Sequence, residues 1–253
     1  GRHPILLDEL LNPGNDKGVP DWPRLKAGLT QQLADIAHSG GGDVEQQMDV
    51  LRHFHHTQIF HLLALDVEGL LPLETLSDHL SALADLVLET VLQLAWAGLR
   101  NRHREQPVFA IIGYGKLGGK VLGYASYLDI IFLYDDDHPD AAEIYARLSQ
   151  RINSWLSSYT SAGLLYQTDL RLRPNGSSGL LVSSTQAFDQ YQRNQAWVWE
   201  HQALTRARFA AGEEDVRALG DVVLHAQLGA EAMHALDPAS LDRRDQRRVR
   251  VER

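Results

Sequence analysis

Val108-Phe109-Ala110-Ile111-Ile112-Gly113-Tyr114-Gly115-Lys116-Leu117-Gly118-Gly119, followed by Leu128-Asp129-Ile130-Ile131-Phe132-Leu133-Tyr134, limits how the whole chain can be arranged. Each end is a short continuous apolar run, the pattern of a strand buried on both faces. Between them lies a glycine-rich connection, Gly113 to Gly123. Gly113-Tyr114-Gly115-Lys116-Leu117-Gly118 fits G-x-G-x-x-G after a strand, with Asp135 about 20 residues on, so a dinucleotide-binding unit has to be weighed. Only about ten residues separate Gly118 from the second run, whereas a parallel crossover needs a dozen or more. A P-loop fails because no Lys-Ser or Lys-Thr pair follows a glycine at the required spacing. The remaining reading is a glycine turn that lets the backbone approach a triphosphate, with carboxylates on neighbouring strands holding metal ions.

The rest of the chain is organised around this core. Asp21-Trp22-Pro23 opens a helix carrying Leu25, Leu29, Leu33 and Ile36; a second, capped by Asp43, runs through Met48, Leu51, Phe54, Ile59, Phe60 and Leu63. A third spans about Leu73 to Leu99. Helical spacing returns from about Ala141 to Ser158. Leu164 to Leu170 reads as a third strand, Leu180 to Ser183 as a fourth, and helix is expected from about Thr185 onward. The expectation is an α+β fold with a helical segment 1–104, a catalytic core 105–184 and a C-terminal helical segment 185–253.

Asp129 begins one predicted strand and Asp169 lies near the end of another, so suitable register would bring both carboxylates to one edge. Arg171 and Arg173 follow Asp169 at period two and share its face if that strand continues. Such a grouping suits anionic phosphate meeting both metal and guanidinium.

Composition sets bounds. The 253 residues carry a net charge of −9, which argues against non-specific nucleic-acid binding, and the arginines crowded between Arg243 and Arg253 read as a solvated tail. There are no cysteines, hence no disulfide or thiolate metal site. No apolar run reaches the roughly 18 residues of a membrane span, and no signal peptide is evident, from which a soluble, cytoplasmic protein is expected. The chain starts without Met, as a fragment or processed chain would. His53, His55, His56 and His61 read as solvent-facing or satisfied, Trp197 and Trp199 as packing anchors, and Asp135 to Asp137 as a solvated strand end.

Three blocks carry a resemblance. They are Gly113-Tyr114-Gly115-Lys116-Leu117-Gly118-Gly119 continuing through Leu122-Gly123-Tyr124, Ser126 and Leu128-Asp129-Ile130-Ile131-Phe132-Leu133; Thr160-Ser161-Ala162-Gly163 running through Asp169-Leu170-Arg171-Leu172-Arg173-Pro174-Asn175-Gly176; and Ala196-Trp197-Val198-Trp199-Glu200-His201-Gln202-Ala203-Leu204. Together with Arg2 to Leu11 they resemble the bacterial glutamine synthetase adenylyltransferase family, and the third block is similar to its adenylylating, C-terminal half. The resemblance implies a nucleotidyltransferase using ATP and Mg²⁺, with Asp129 and Asp169 as catalytic metal ligands and Gly118, Gly119, Ser126, Arg171 and Arg173 as nucleotide contacts. It also implies glutamine synthetase as substrate and regulation by glutamine and the PII protein. Two acids of the family pattern are missing. Ser126-Tyr127-Leu128-Asp129 stands in place of Ser-Asp-x-Asp, and Val121 in place of Glu. Two closely spaced Mg²⁺ ions repel and need carboxylates to hold them, so the expectation is an impaired enzyme or, alternatively, an inactive module that binds nucleotide or glutamine synthetase.

Overall fold

The computed structural model describes residues 18–38, 44–213 and 216. Helices α1 (Trp22–His38), α2 (Val44–Val67) and α3 (Leu73–Ala97) precede strand β1 (Phe109–Gly113). The four-residue helix α4 (Gly115–Gly118) leads towards β2 (Leu128–Tyr134), and α5 (Ala141–Ser157) precedes the two-residue strand β3 (Thr168–Asp169). Then come β4 (Val182–Ser184), α6 (Thr185–Asn194), α7 (Val198–Leu204) and β5 (Arg208–Gly212). Asp43 and the arginine-rich tail lie outside the described residues.

The five strands form one mixed sheet, as an α+β fold requires. β2 is antiparallel to β1, with Phe109 opposite Tyr134 and Gly113 opposite Ile130. That direction excludes the dinucleotide-binding unit, which needs a parallel pair. On the other edge of β2, β3 pairs in parallel with its start and β4 in parallel with its end.

Alternation along the strands explains their continuous apolar texture. Phe109, Ile111, Leu128, Ile130 and Phe132 join the core under the helices, whereas Ala110, Ile112, Ile131 and Leu133 join a second cluster with Phe188 of α6 and Leu204 of α7. Both faces are therefore covered, and each large aliphatic side chain so buried contributes roughly 1.5–3 kcal/mol. Helix α3 supplies much of the first cluster. Among the described residues it alone is long and apolar enough to cross a membrane by length and composition, a possibility the sequence reading had set aside, and its Leu80, Leu83, Val87, Leu88 and Val91 are buried in this core. Local capping agrees with the sequence: Asp21 Oδ1 accepts from Arg24 N at 3.2 Å, and Ser184 Oγ from Ala187 N at 3.2 Å.

Three expectations are corrected. The strand expected over 164–170 shrinks to Thr168–Asp169, because Tyr166 N donates to Leu156 O at 3.1 Å, tying this segment to the end of α5 instead of the sheet. Within the expected C-terminal helical segment, Arg208–Gly212 is a strand antiparallel to β1, with a bulge between Ile111 and Ile112. Nor is Asp136 solvated. It accepts from His103 Nε2 at 2.6 Å and Tyr145 Oη at 2.7 Å, its side chain is 1% exposed, and these bonds with the His138 amide and Arg104 outweigh burial to hold its carboxyl below the ordinary range.

A buried arginine joins helix α2 to the end of α5 and the loop that follows it. Arg52 of α2 is fully buried, and its guanidinium donates to the carbonyl oxygens of Gly163 (2.9 Å), Met48 (3.0 Å), Trp155 (2.9 Å) and Ser158 (2.7 Å). Asp49 reinforces it by accepting from Thr160 Oγ1 and Ser161 Oγ, and His56 Nε2 pairs with Leu164 O at 3.0 Å. His55 departs from the expectation of satisfied histidines: buried against Tyr166, it has no hydrogen-bond partner at either ring nitrogen among the described residues, and burial lowers its pKa to about 3. Arg52→Ala is expected to lower the unfolding free energy by roughly 3–5 kcal/mol in urea titrations, because it strands several buried carbonyls and opens a cavity; a change under about 1 kcal/mol would contradict this role.

Candidate active site

Parallel pairing aligns Leu128 with Thr168 and Asp129 with Asp169. Directly opposite residues on neighbouring strands project to the same side of the sheet, so the two carboxyl groups meet at one edge. Their electrostatics reflect this. Burial, and then the charge of Asp169, hold the Asp129 carboxyl above its ordinary pKa, with Arg171 and Lys116 pulling the other way. Asp169 is held below its ordinary value by hydrogen bonds from Arg171, whose Nε lies 3.0 and 2.9 Å from the two carboxylate oxygens and whose backbone N lies 2.9 Å from Oδ1. The arginine is the present counter-charge of the pair.

The glycine turn lies beside them. Gly115 adopts a left-handed φ of +54°, and a Cβ there would come within 2.4 Å of Asp129 Oδ2, so only glycine fits. Gly118 and Gly119 do not present their amides as the triphosphate reading expected. Gly118 N donates to Tyr114 O at 2.8 Å and Gly119 N to Gly115 O at 3.0 Å, closing the short helix. A Cβ on Gly118 would lie 1.7 Å from the Arg206 carbonyl oxygen, so its small size serves packing. Ser126 Oγ accepts from Gly123 N at 3.0 Å; no acceptor for its own hydroxyl hydrogen occurs among the described residues.

Arg173 spends its hydrogen bonds elsewhere than on the carboxylates, although its charge still helps to lower the Asp169 pKa. Because β3 ends at Asp169, the period-two argument stops there, and the guanidinium bonds the carbonyls of Leu170 (2.6 Å), Ser177 (3.1 Å) and Gly179 (3.2 Å). It stiffens its own loop. Arg171 keeps the predicted neighbourhood with a side chain 78% exposed, free to turn towards a ligand. Lys116, missed in the sequence reading, lies close enough to Asp129 to affect its charge; its place inside the glycine motif was the available signal.

Tyr127 precedes Asp129 by two positions and is half-exposed, as is Val121. Extended-chain alternation puts residue 127 on the Asp129 side, where a third carboxylate would complete the set. Among the described residues no group of three or more His, Asp or Glu could hold a metal. Two facing carboxylates, one destabilised by the other, still fit a single hard cation, since Mg²⁺ commonly binds through one or two carboxylates plus substrate phosphates. Trp197 and Trp199 are 43% and 52% exposed instead of acting as buried anchors, while Glu200 between the strand layer and α6 is buried and accepts from Tyr191 Oη at 3.0 Å and Trp197 N at 2.7 Å.

The family described as glutamate-ammonia ligase adenylyltransferase matches residues 1–221. A protein of Nitrosomonas europaea named bifunctional glutamine synthetase adenylyltransferase/adenylyl-removing enzyme is 67% identical over 215 residues, 85% of this chain and 23% of that protein. Proteins of the same name from Chromobacterium violaceum and Neisseria meningitidis serogroup A are 60% identical over 240 residues (95% of this chain, 26% of theirs) and 52% over 230 (91% and 25%). The chain thus spans about a quarter of the length of these curated relatives. On the extent of the family match and the identity to its members, the chain belongs to the glutamate-ammonia ligase adenylyltransferase family.

Proposed function

We propose that this chain is a nucleotidyltransferase unit that transfers AMP from ATP to a tyrosine of glutamine synthetase, corresponding to the adenylylating half of its longer relatives and working in the cytoplasm. The observation that carries the reading is the in-register Asp129–Asp169 pair against the Gly115 turn. The names of the relatives support the substrate, and the two-strand carboxylate edge supports the reaction class.

Asp129 and Asp169 would hold Mg²⁺, which when bound supplies Lewis-acid neutralisation of phosphate charge. The substrate tyrosine hydroxyl would release its proton to solvent as its oxygen forms a bond to the α-phosphorus, while the bond from that phosphorus to the bridging oxygen breaks, releasing pyrophosphate. Arg171 would leave Asp169 for the developing charge on the phosphates, and the Ser126 hydroxyl would donate to a phosphate oxygen. Lys116 adds positive charge at the same edge, whereas Gly118, Gly119 and Arg173 shape the walls from behind. Tyr127 favours a second reading, a unit that binds nucleotide or glutamine synthetase with little turnover, because it leaves two carboxylates where the chemistry is best served by three.

Transfer is measured as label passed from α-labelled ATP to glutamine synthetase in the presence of Mg²⁺. Tyr127→Asp is expected to raise it at least about 10-fold; label from neither protein would remove the transferase reading of this chain. Asp129→Asn should abolish transfer yet stabilise the ligand-free chain. The raised Asp129 pKa means the folded state holds that proton more tightly than the unfolded one, so stability falls as pH climbs from the ordinary carboxylate value through the folded value. The asparagine variant escapes this loss, and its advantage in melting temperature should appear on raising pH through that window and then level off. Arg171→Gln should shift two affinities in opposite directions, tightening Mn²⁺ alone by freeing Asp169 and weakening Mg²⁺-ATP by about 10-fold; equal shifts in both would refute the exchange of partners.

A further inference from the structure

A helix of four residues cannot hold its own position, since one turn supplies too few hydrogen bonds to offset the ordering of its backbone. Yet α4 must keep Gly115 against the Asp129 carboxylate. The support comes from the far side, from a segment the sequence presented as helix. There the chain entering β5 closes over the turn: the Arg206 carbonyl fills the space where a Gly118 Cβ would be, and Arg208 Nε donates to Leu117 O at 2.9 Å.

The Arg208 guanidinium is in turn gripped from α3. Its two terminal nitrogens lie 2.9 and 2.8 Å from the two carboxylate oxygens of Asp85, and one of them also donates to Phe209 O at 3.0 Å. Asp85 and Arg208 side chains are 29% and 18% exposed, so the pair is largely shielded from solvent. A planar fork with a third donor on its stem can bind a carboxylate with two nitrogens and a carbonyl with the other; an ammonium cannot reproduce that geometry.

We infer that Arg208, oriented by Asp85, is a positioning residue for the nucleotide site, fixing the glycine turn against Asp129 while touching neither metal nor substrate. This rests on the reading of the Asp129 edge as an ATP site. The connection runs from α3 through Asp85, Arg208 and Leu117 to Gly115 and Asp129, and it makes the helical layer a determinant of how the turn meets phosphate. Small displacements of such groups have large effects, because a shift of about 1 Å in a reacting geometry can cost about 100-fold.

The test compares the 253-residue chain with Arg208→Lys and Asp85→Asn in three measurements: amide hydrogen exchange, melting temperature and equilibrium binding of α-labelled ATP with Mg²⁺. Arg208→Lys keeps the charge but loses the Nε donor to Leu117. It should speed exchange at Gly118 and Gly119 about 10-fold, leave the Ile111 and Ile131 amides unchanged, and weaken ATP binding about 10-fold. Asp85→Asn keeps the Leu117 bond and should weaken ATP binding several-fold less than Arg208→Lys, by however much either variant changes the melting temperature. A merely structural role would make affinity follow melting temperature in both variants, and that outcome overturns the inference. So does Arg208→Lys with ATP affinity within twofold of the parent. If the parent itself binds no ATP, the nucleotide-site reading falls and takes the role at that site with it, while the exchange data still decide whether Arg208 holds the turn.

Discussion

The guanidinium of Arg52 decides where Asp169 can be. β3 has two residues, too few for strand pairing alone to fix the Asp129–Asp169 edge, and the segment before it meets the sheet through the bond from Leu128 N to Gln167 O at 2.9 Å. What holds residues 158–166 in place is α2, through a buried cation that makes three of its four main-chain bonds to carbonyls at the end of α5 and in the loop that follows, the fourth returning to Met48 of its own helix. Among the described residues no carboxylate pairs with it at contact distance; carbonyl dipoles offset the charge, Asp49 adds to them from further off, and burial pulls its pKa below the usual guanidinium value without removing the charge. The α-helical layer is thus a structural requirement of the site.

At the edge itself the dominant conflict is between charge and burial. Asp129 is destabilised as an anion by partial burial and by its neighbour, and the protein meets this with cations on both sides instead of moving the carboxylates apart. Such a site carries a cost in the empty state that a ligand with compensating charge removes, the usual trade between stability and activity. Position 127 fits the same logic: the side chain there is a half-exposed phenol and not a third carboxylate.

The core strands were legible because continuous apolar runs bounded by glycine have few alternatives, and Leu128–Tyr134 matched residue for residue. The pairing of Asp129 with Asp169 was legible as a possibility, and register made it a fact. Other features were hidden for physical reasons. Arg208-Phe209-Ala210-Ala211-Gly212 lacks the β-branched residues that announce a strand, and it is one because β1 offers an open edge and Gly212, at φ +107°, can pass within reach of the Phe109 carbonyl. Arg52 and Arg208 look like solvent-facing residues in any helical or strand pattern. Their burial follows from carbonyls and carboxylates contributed by residues over 90 positions away, which no local window contains.

β3 and β4 dock on the same edge of β2, at Asp129 and at Phe132, and only Ile130 and Ile131 lie between the two attachments. Everything from Leu170 to Leu181 therefore leaves the sheet and returns to almost the same point, and Arg173 ties that excursion to itself through three of its own carbonyls. Its first residues are anchored, Leu170 and Leu172 against the two cores and Arg171 on Asp169, so it is the stretch after Arg173 that stands as an insert beside the Asp129–Asp169 edge. Evolution can lengthen, shorten or rewrite such an insert at little entropic penalty and without disturbing a single strand pair, which offers a route by which one scaffold could be retuned towards different acceptors while its carboxylates stay where they are.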